Sequence, residues 1–322
     1  MMGAAVLSLA GSGPLLAPGS GGDLLAVRGH TPVDALQRVV SQDLRTIPPG
    51  GAAFALVLAP KGQVRGVMAV FPRTEDVLLL APPGGGESLA GELNRYVLLS
   101  RCRVEVLSPA AAVTVLGEGW PALAGGGAAV ASGQAGAGLV VDGHDEQEVW
   151  WLGRTLLGLP GAVAVAPREA GAQRLASRIA RVPRVGGEAV ELERIRRGWP
   201  VWGREITETT LPPEVGLDRL AVSSGKGCYV GQETMARIDA YGHVNRTLVG
   251  VVQEEGPGDL PDLPLGLAAV DGDRVRGQLT SAAVHPEQGV VGLALVRRES
   301  AQAGCVLHGD GRRFRVAVLP LW

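Results

Sequence analysis

The chemistry-bearing residues concentrate in Lys226-Gly227-Cys228-Tyr229-Val230-Gly231-Gln232-Glu233. A single thiol lies between two glycines, two residues after a lysine. It comes just before Gln232-Glu233-Thr234-Met235-Ala236-Arg237-Ile238, a run with few helix breakers. Glycine lets the backbone turn tightly and approach a ligand, and a helix is expected to start near Gly231. A thiol beside a cation and a helix N-terminus is expected to have its pKa drawn down from roughly 8.5 towards neutrality. Cys228 therefore reads as a reactive or ligand-contacting cysteine, with Lys226 biasing it towards thiolate or touching the ligand itself. The alternative reading is a small buried residue in a tight turn, a common fate of free cysteine.

The other reactive residue types are scattered. Cys102 and Cys305 lie among apolar, strand-like residues and read as packing groups. There is no CxxC pair, and three cysteines cannot furnish a four-cysteine cluster site, so no metal site is expected. His30, His144, His285 and His308 show no ligand spacing, and His243 reads as a structural hydrogen-bonding residue. No glycine-rich segment carries the Gly-Lys-Ser/Thr of a phosphate loop. Arginine clusters at Arg194, Arg196, Arg197 and at Arg312, Arg313, Arg315 are either solvated faces or contacts for an anion. The net charge of −2 offers no global basic field, so direct nucleic-acid binding is not expected. The apolar start from Met1 to Leu16 lacks a positive leading region and is interrupted by Gly11, Gly13 and Pro14. It reads as neither secretory signal nor membrane span. Few, scattered cysteines suit a reducing, cytoplasmic setting.

These residues must be positioned by a substantial scaffold, and 322 residues suffice for two or three domains. Phe54–Leu58, Val64–Val70 and Val77–Leu80 read as a meander of three strands, broken at Pro60-Lys61-Gly62 and Phe71-Pro72. Glu87 to Leu99 has helical spacing, and Arg103 to Val106 alternates like a strand. Ala122 to Gly138, rich in Gly and Ala and uncharged, reads as a surface loop in preference to a small-residue packing segment. Helices are expected over Asp145–Leu157, Arg168–Ile179 and Glu188–Arg197, the first from Val149, Leu152, Leu156 and Leu157 sharing a face. After Arg246 come short strand candidates at Leu248–Val252, Val275–Thr280, Val290–Val296, Cys305–Leu307 and Phe314–Leu319. These predict a small β-barrel or sandwich. The interleaving is α+β, with a boundary expected between residues 1–246 and 247–322.

The octapeptide, with Arg237 four residues after Glu233, resembles the signature of the YgfZ-type folate-binding proteins, relatives of the glycine-cleavage T-protein. Arg194-Ile195-Arg196-Arg197-Gly198-Trp199-Pro200, Gly203-Arg204-Glu205-Ile206-Thr207 and Leu211-Pro212-Pro213-Glu214-Val215-Gly216-Leu217 look like that family's approach to the motif. Val27-Arg28-Gly29, Leu36-Gln37 and Ser41-Gln42-Asp43 look like its opening segment. The resemblance is weak between about Leu107 and Gly187.

The resemblance implies a three-lobed α+β fold, with two ferredoxin-like lobes, a C-terminal β-barrel and a folate pocket where they meet. It implies tetrahydrofolate, or a one-carbon derivative, as cofactor and iron–sulfur client enzymes or assembly proteins as partners, with an indirect effect on tRNA modification. Cys228 would be the thiol that meets folate, a one-carbon group or a client. Tyr229 would stack on a ring of the folate or fill core space. Gln232 and Glu233 would bond the pterin edge or cap the helix, and Arg237 would join them or pair with Glu233. Aminomethyl transfer is the alternative. The T-protein pattern has acids on the strand corresponding to Gly62–Val70, where this chain reads Gln63-Val64-Arg65-Gly66-Val67-Met68-Ala69-Val70. It also has a pterin-reaching glutamate where Arg196 stands here. A third reading is an interaction module that has lost folate binding. A flavin-linked demethylase is disfavoured by the missing Gly-x-Gly-x-x-Gly fingerprint.

Overall fold

In a computed structural model of the chain, residues 13–19, 21–125, 138–242, 244–269 and 274–322 are described. Most of the apolar start, most of the Gly/Ala-rich segment and His243 lie outside them. The described chain divides into two compact units. One takes in residues 13–186 and 220–232, the other 187–219 and 233–322.

The first unit holds two antiparallel five-stranded sheets. In one, β2 (Asp23–Gly29), β3 (Ala53–Leu58), β4 (Val64–Pro72), β5 (Val77–Ala81) and β6 (Cys102–Val106) run in the order β3-β4-β5-β2-β6. The three-strand meander appears as expected, and Gly62 turns β3 into β4 at φ 84°. One face of this sheet is covered by α1 (Pro32–Gln37) and α2 (Gly86–Val97). Leu89, Leu93 and Val97, spaced along one side of α2, share a core with Leu25, Val57 and Met68. The other sheet has β1 (Leu15–Ala17), β7 (Ala111–Leu116), β8 (Gly138–Asp142), β9 (Val149–Leu156) and β10 (Leu159–Ala166) in the order β1-β7-β10-β9-β8. It packs on α3 (Trp120–Leu123) and α4 (Glu169–Ile179) through Trp120, Trp151 and Leu175.

The helix expected over Asp145–Leu157 is a correction: β9 occupies it, preceded by a single 3-10 turn at Asp145–Gln147. Val149, Trp150, Trp151, Leu152 and Gly153 are all buried, so β9 is covered on both faces there and its apolar run carries no period-two signature. Leu157 (φ 54°) and Gly158 (φ 79°) make the two-residue turn into β10 with Leu156 opposite Leu159, the left-handed pair that matches strand twist.

In the second unit β11 (Arg246–Glu255), β12 (Leu265–Ala269), β13 (Val275–His285), β14 (Gly289–Arg297), β15 (Val306–Gly309) and β16 (Arg312–Ala317) close a barrel in the order β11-β14-β13-β12-β15-β16. The barrel reading holds, with β12 added to the strands expected. Helix α5 (Gly187–Arg197) lays Leu192 and Ile195 against Ala283, Val291 and Leu293 of the barrel. The α+β class with a C-terminal barrel is therefore what the chain forms. The remaining helices are α6 (Leu217–Ala221) and α7 (Gln232–Tyr241).

Candidate functional site

The motif loop is tied to the first unit by an unusual anchor. Lys226 is 6% exposed, and its Nζ donates to the backbone carbonyls of Gln37 (2.7 Å), Val40 (2.5 Å) and Gln42 (3.0 Å). Burial pushes its pKa down to about 8; the negative charge of Asp43 opposes this shift and Arg45 adds to it. The carbonyls point at the lysine because the chain after α1 is itself fixed. Gln37 Oε1 accepts from Leu44 N (2.8 Å), and Gln37 Nε2 donates to Asp43 Oδ1 (2.8 Å). Asp43 accepts from Arg45 N and so caps the next 3-10 turn. Ser41, fully buried, donates through Oγ to Ala221 O (2.6 Å) and accepts from Leu56 N (2.9 Å), and its carbonyl accepts from Ser223 N (3.0 Å). The segment leading into the motif is thus held on residues 37–42, which Ser41 in turn ties to β3.

The other end of the motif is fixed by sterics. Gly231 has φ 83°, and a Cβ there would come within 2.6 Å of Ala59 O and 2.8 Å of Leu58 Cβ. Only glycine fits this approach to the β3–β4 turn. The motif therefore abuts the turn that leads into β4, and β4 carries no carboxylate.

Between these two anchors, Cys228 is exposed, whereas Cys102 is buried and Cys305 half-buried. The Tyr229 ring is half-buried, with Lys226 Nζ 5.2 Å from its centroid. Tyr229 N donates to Gln232 Oε1 (3.3 Å), closing the turn into α7. Lys226, Tyr229 and Gln232 thus form one connected group. Glu233 and Arg237 stand apart from it as an i,i+4 ion pair at 3.0 Å on α7, with side chains 86% and 65% exposed. Lys226 adjoins the thiol in sequence, yet its charge is taken up by carbonyls. The Gln37–Gln42 carbonyls are the part of the site that sequence reading missed. Leu36-Gln37 and Ser41-Gln42-Asp43 stand out in the sequence, but backbone acceptors leave no mark in residue type.

Both arginine clusters are internally paired. Arg194, 2% exposed, is held by Glu191, Glu205 and Ser281. Arg196 and Arg197 share Glu193, whose carboxyl these two cations keep below the usual range against the opposing effect of burial. Arg312, Arg313 and Arg315 pair with Asp259, Glu255 and Glu254. No cluster of three His, Cys, Asp or Glu suited to a metal occurs among the described residues. No helix among them is long and apolar enough to cross a membrane.

No protein-family model matches the chain. Over 121 residues it is 34% identical to a chloroplastic protein of Arabidopsis thaliana whose name assigns it to the transferases, over 37% of this chain and 26% of that one. It is 28% identical to an aminomethyltransferase of Streptomyces avermitilis over 137 residues, 40% of this chain and 36% of the relative. It is 27% identical to an aminomethyltransferase of Corynebacterium jeikeium over 136 residues, 40% and 34% of the respective chains. The chain thus spans between 26% and 36% of the length of the curated relatives it matches. Among solved structures, the glycine cleavage system aminomethyltransferase T from Bartonella henselae matches with a TM-score of 0.79 at 20% identity, covering 96% of this chain and 86% of that one. The fold is that of the glycine-cleavage T-protein, and two of the three relatives in sequence are aminomethyltransferases.

Proposed function

We propose that this protein binds tetrahydrofolate, or a one-carbon derivative of it, and supports assembly or repair of iron–sulfur clusters in client enzymes in the manner of YgfZ-type proteins. Any effect on tRNA modification would come through clients that use clusters, without direct contact to nucleic acid or membrane, in the cytoplasm. The observation that carries this reading is the exposed Cys228, presented by a motif loop clamped at Lys226 and Gly231. The donor set suits a flat, polar-edged ring. Tyr229 offers a half-buried aromatic face, and the Gln232 amide sits at the end of the same turn. In this reading Lys226 is a positioning residue, and Cys228 is the group that meets folate, its one-carbon unit or a client. Glu233 and Arg237 would join the ligand by exchanging their mutual ion pair for it.

The second reading, aminomethyl transfer, is favoured by the names of two relatives. Against it, β4 is Val-Arg-Gly-Val-Met-Ala-Val-Phe-Pro, with no acid to handle a proton at the reacting amine. Arg196, standing where that family has a glutamate, is bound to Glu193.

The deciding experiment is complementation of cells lacking their own YgfZ-type protein, with cluster-dependent enzyme activity as the readout. Wild type is expected to restore activity and Cys228→Ala, at matched soluble levels, is not. A Cys228→Ala variant that restores full activity would sink the assigned role of the thiol. Failure of wild type, while a host-derived protein rescues under the same conditions, would count against the assembly role.

A further inference from the structure

The second unit carries a charged groove that the folate reading does not use. It has a volume of about 810 Å³ and is lined, among the described residues, by Arg246, Arg297 and Arg298 with Glu214, Glu299, two amides, Asn245 and Gln302, and one apolar residue, Val244. The strand register brings two of these cations together. Arg246 on β11 lies directly opposite Arg297 on β14, so both side chains leave the same face of the barrel wall. Like charges placed opposite each other on neighbouring strands destabilise the pairing. Arg298 follows immediately, its backbone N–H held by Asn245 O at 3.0 Å.

Ion-pair accounting shows which charges remain available. Arg246 is neutralised by a two-pronged contact to the buried Glu214, with both hydrogen bonds at 2.8 Å. Glu299 is engaged by Arg276. Arg297 and Arg298 are exposed, and neither side chain has a hydrogen bond or ion pair among the described residues. This contrasts with the clusters at Arg194–Arg197 and Arg312–Arg315, where every guanidinium has an internal carboxylate. The groove therefore keeps two uncompensated guanidinium forks, geometry that matches carboxylate oxygens.

We propose that this groove docks an acidic peptide segment of a partner protein, whose carboxylates pair with Arg297 and Arg298. Among the described residues the lining has no aromatic side chain to stack on a base. The net charge of −2, with two free cations among the described residues of the groove, gives no track for a polyphosphate backbone. With charged or amide side chains at seven of its eight described lining residues, the groove offers no cluster of apolar side chains to a drug-like ligand and fits a weak, salt-sensitive encounter. The proposal stands apart from folate binding and from Cys228.

The test uses the full chain and a fluorescein-labelled peptide of alternating glutamate and glycine, with fluorescence anisotropy at low and at physiological salt. Wild type is expected to bind the peptide and to lose it as salt rises. Arg297→Glu with Arg298→Glu should weaken binding by about tenfold or more. Circular dichroism should stay unchanged and the melting temperature should not fall, because both residues are exposed and unpaired and the change removes the like-charge pair with Arg246. Arg181→Glu with Arg184→Glu changes the net charge equally at two exposed sites of the other unit and should leave binding intact. Equal weakening in that control would reduce the effect to bulk charge and overturn the proposal. So would undiminished binding by the Arg297/Arg298 variant, no peptide binding by wild type at low salt, or tighter groove-dependent binding of a labelled single-stranded oligonucleotide.

Discussion

Lys226 is the residue whose sequence neighbourhood and structural neighbourhood diverge most. In the chain it adjoins a thiol, and pairing the two is the natural inference. In the fold its ammonium is held by the carbonyls of Gln37, Val40 and Gln42, more than 180 positions away. Lys226→Met should strand these acceptors at a cost of about 1–3 kcal/mol, offset in part at neutral pH by relief from burying the ammonium, with the net loss read from urea denaturation. The pH dependence has a definite sign. With a folded pKa of about 8 against an ordinary 10.5, the unfolded chain binds more protons between those values. Stability from this group therefore rises with pH across that window, and below about pH 8 the cost of burying the charge is fully present. The stability difference between wild type and Lys226→Met should accordingly widen in favour of wild type from pH 8 to pH 10. A difference that narrows instead would mean the carbonyl bonds outweigh desolvation and hold the pKa high. The octapeptide itself, with its glycines and single thiol, was legible in the sequence. The receptor for its lysine was not, because backbone carbonyls are common to every residue.

Among the elements, the motif loop is positioned by its fit to the β3–β4 turn. Gly231 has a left-handed φ and no room for a methyl group beside Ala59 O. Gly231→Ala should therefore cost about 1–3 kcal/mol, seen as a lowered melting temperature. It should also impair complementation although Cys228 is untouched. Gly227, with open space around its Cβ position, provides the internal comparison: Gly227→Ala should be nearly neutral in stability. Equal losses at both positions would mean that general loop flexibility, not the contact at the turn, sets the effect. The apolar positions of α2 and α4 carry a clear helical period, whereas β3, β4 and β5 are legible as short apolar runs cut off by turn residues, not by alternation. Strand β9 was misread because Val149 to Gly153 are buried throughout. Its acids at Asp145 and Glu146 imitate a helix start while forming only a 3-10 turn. The Leu157-Gly158 turn was the available signal, and it is weaker than the Asn-Gly pair that usually marks such hairpins.

For the whole molecule, the T-protein fold is present, and its strand β4 carries no carboxylate. A fold is compatible with many chemistries, so function has to be argued from the site. Here β3, β4 and their turn form the seat of a cysteine-bearing loop, and β4 itself has only Arg65 as a charged residue. General acid–base assistance of the kind an aspartate gives typically contributes 10²–10⁴-fold, and its loss should leave binding and chemistry separable. Under the proposed function, calorimetric titration with tetrahydrofolate should show binding. Incubation with tetrahydrofolate and an aminomethyl-loaded lipoyl carrier protein should release no ammonia above the protein-free background. Ammonia release at the rate of a true aminomethyltransferase would establish that another group supplies the proton transfer and would restore the second reading. Absence of tetrahydrofolate binding, with Cys228 still essential in cells, would remove folate from the proposal and leave the exposed thiol as the group that acts on the client.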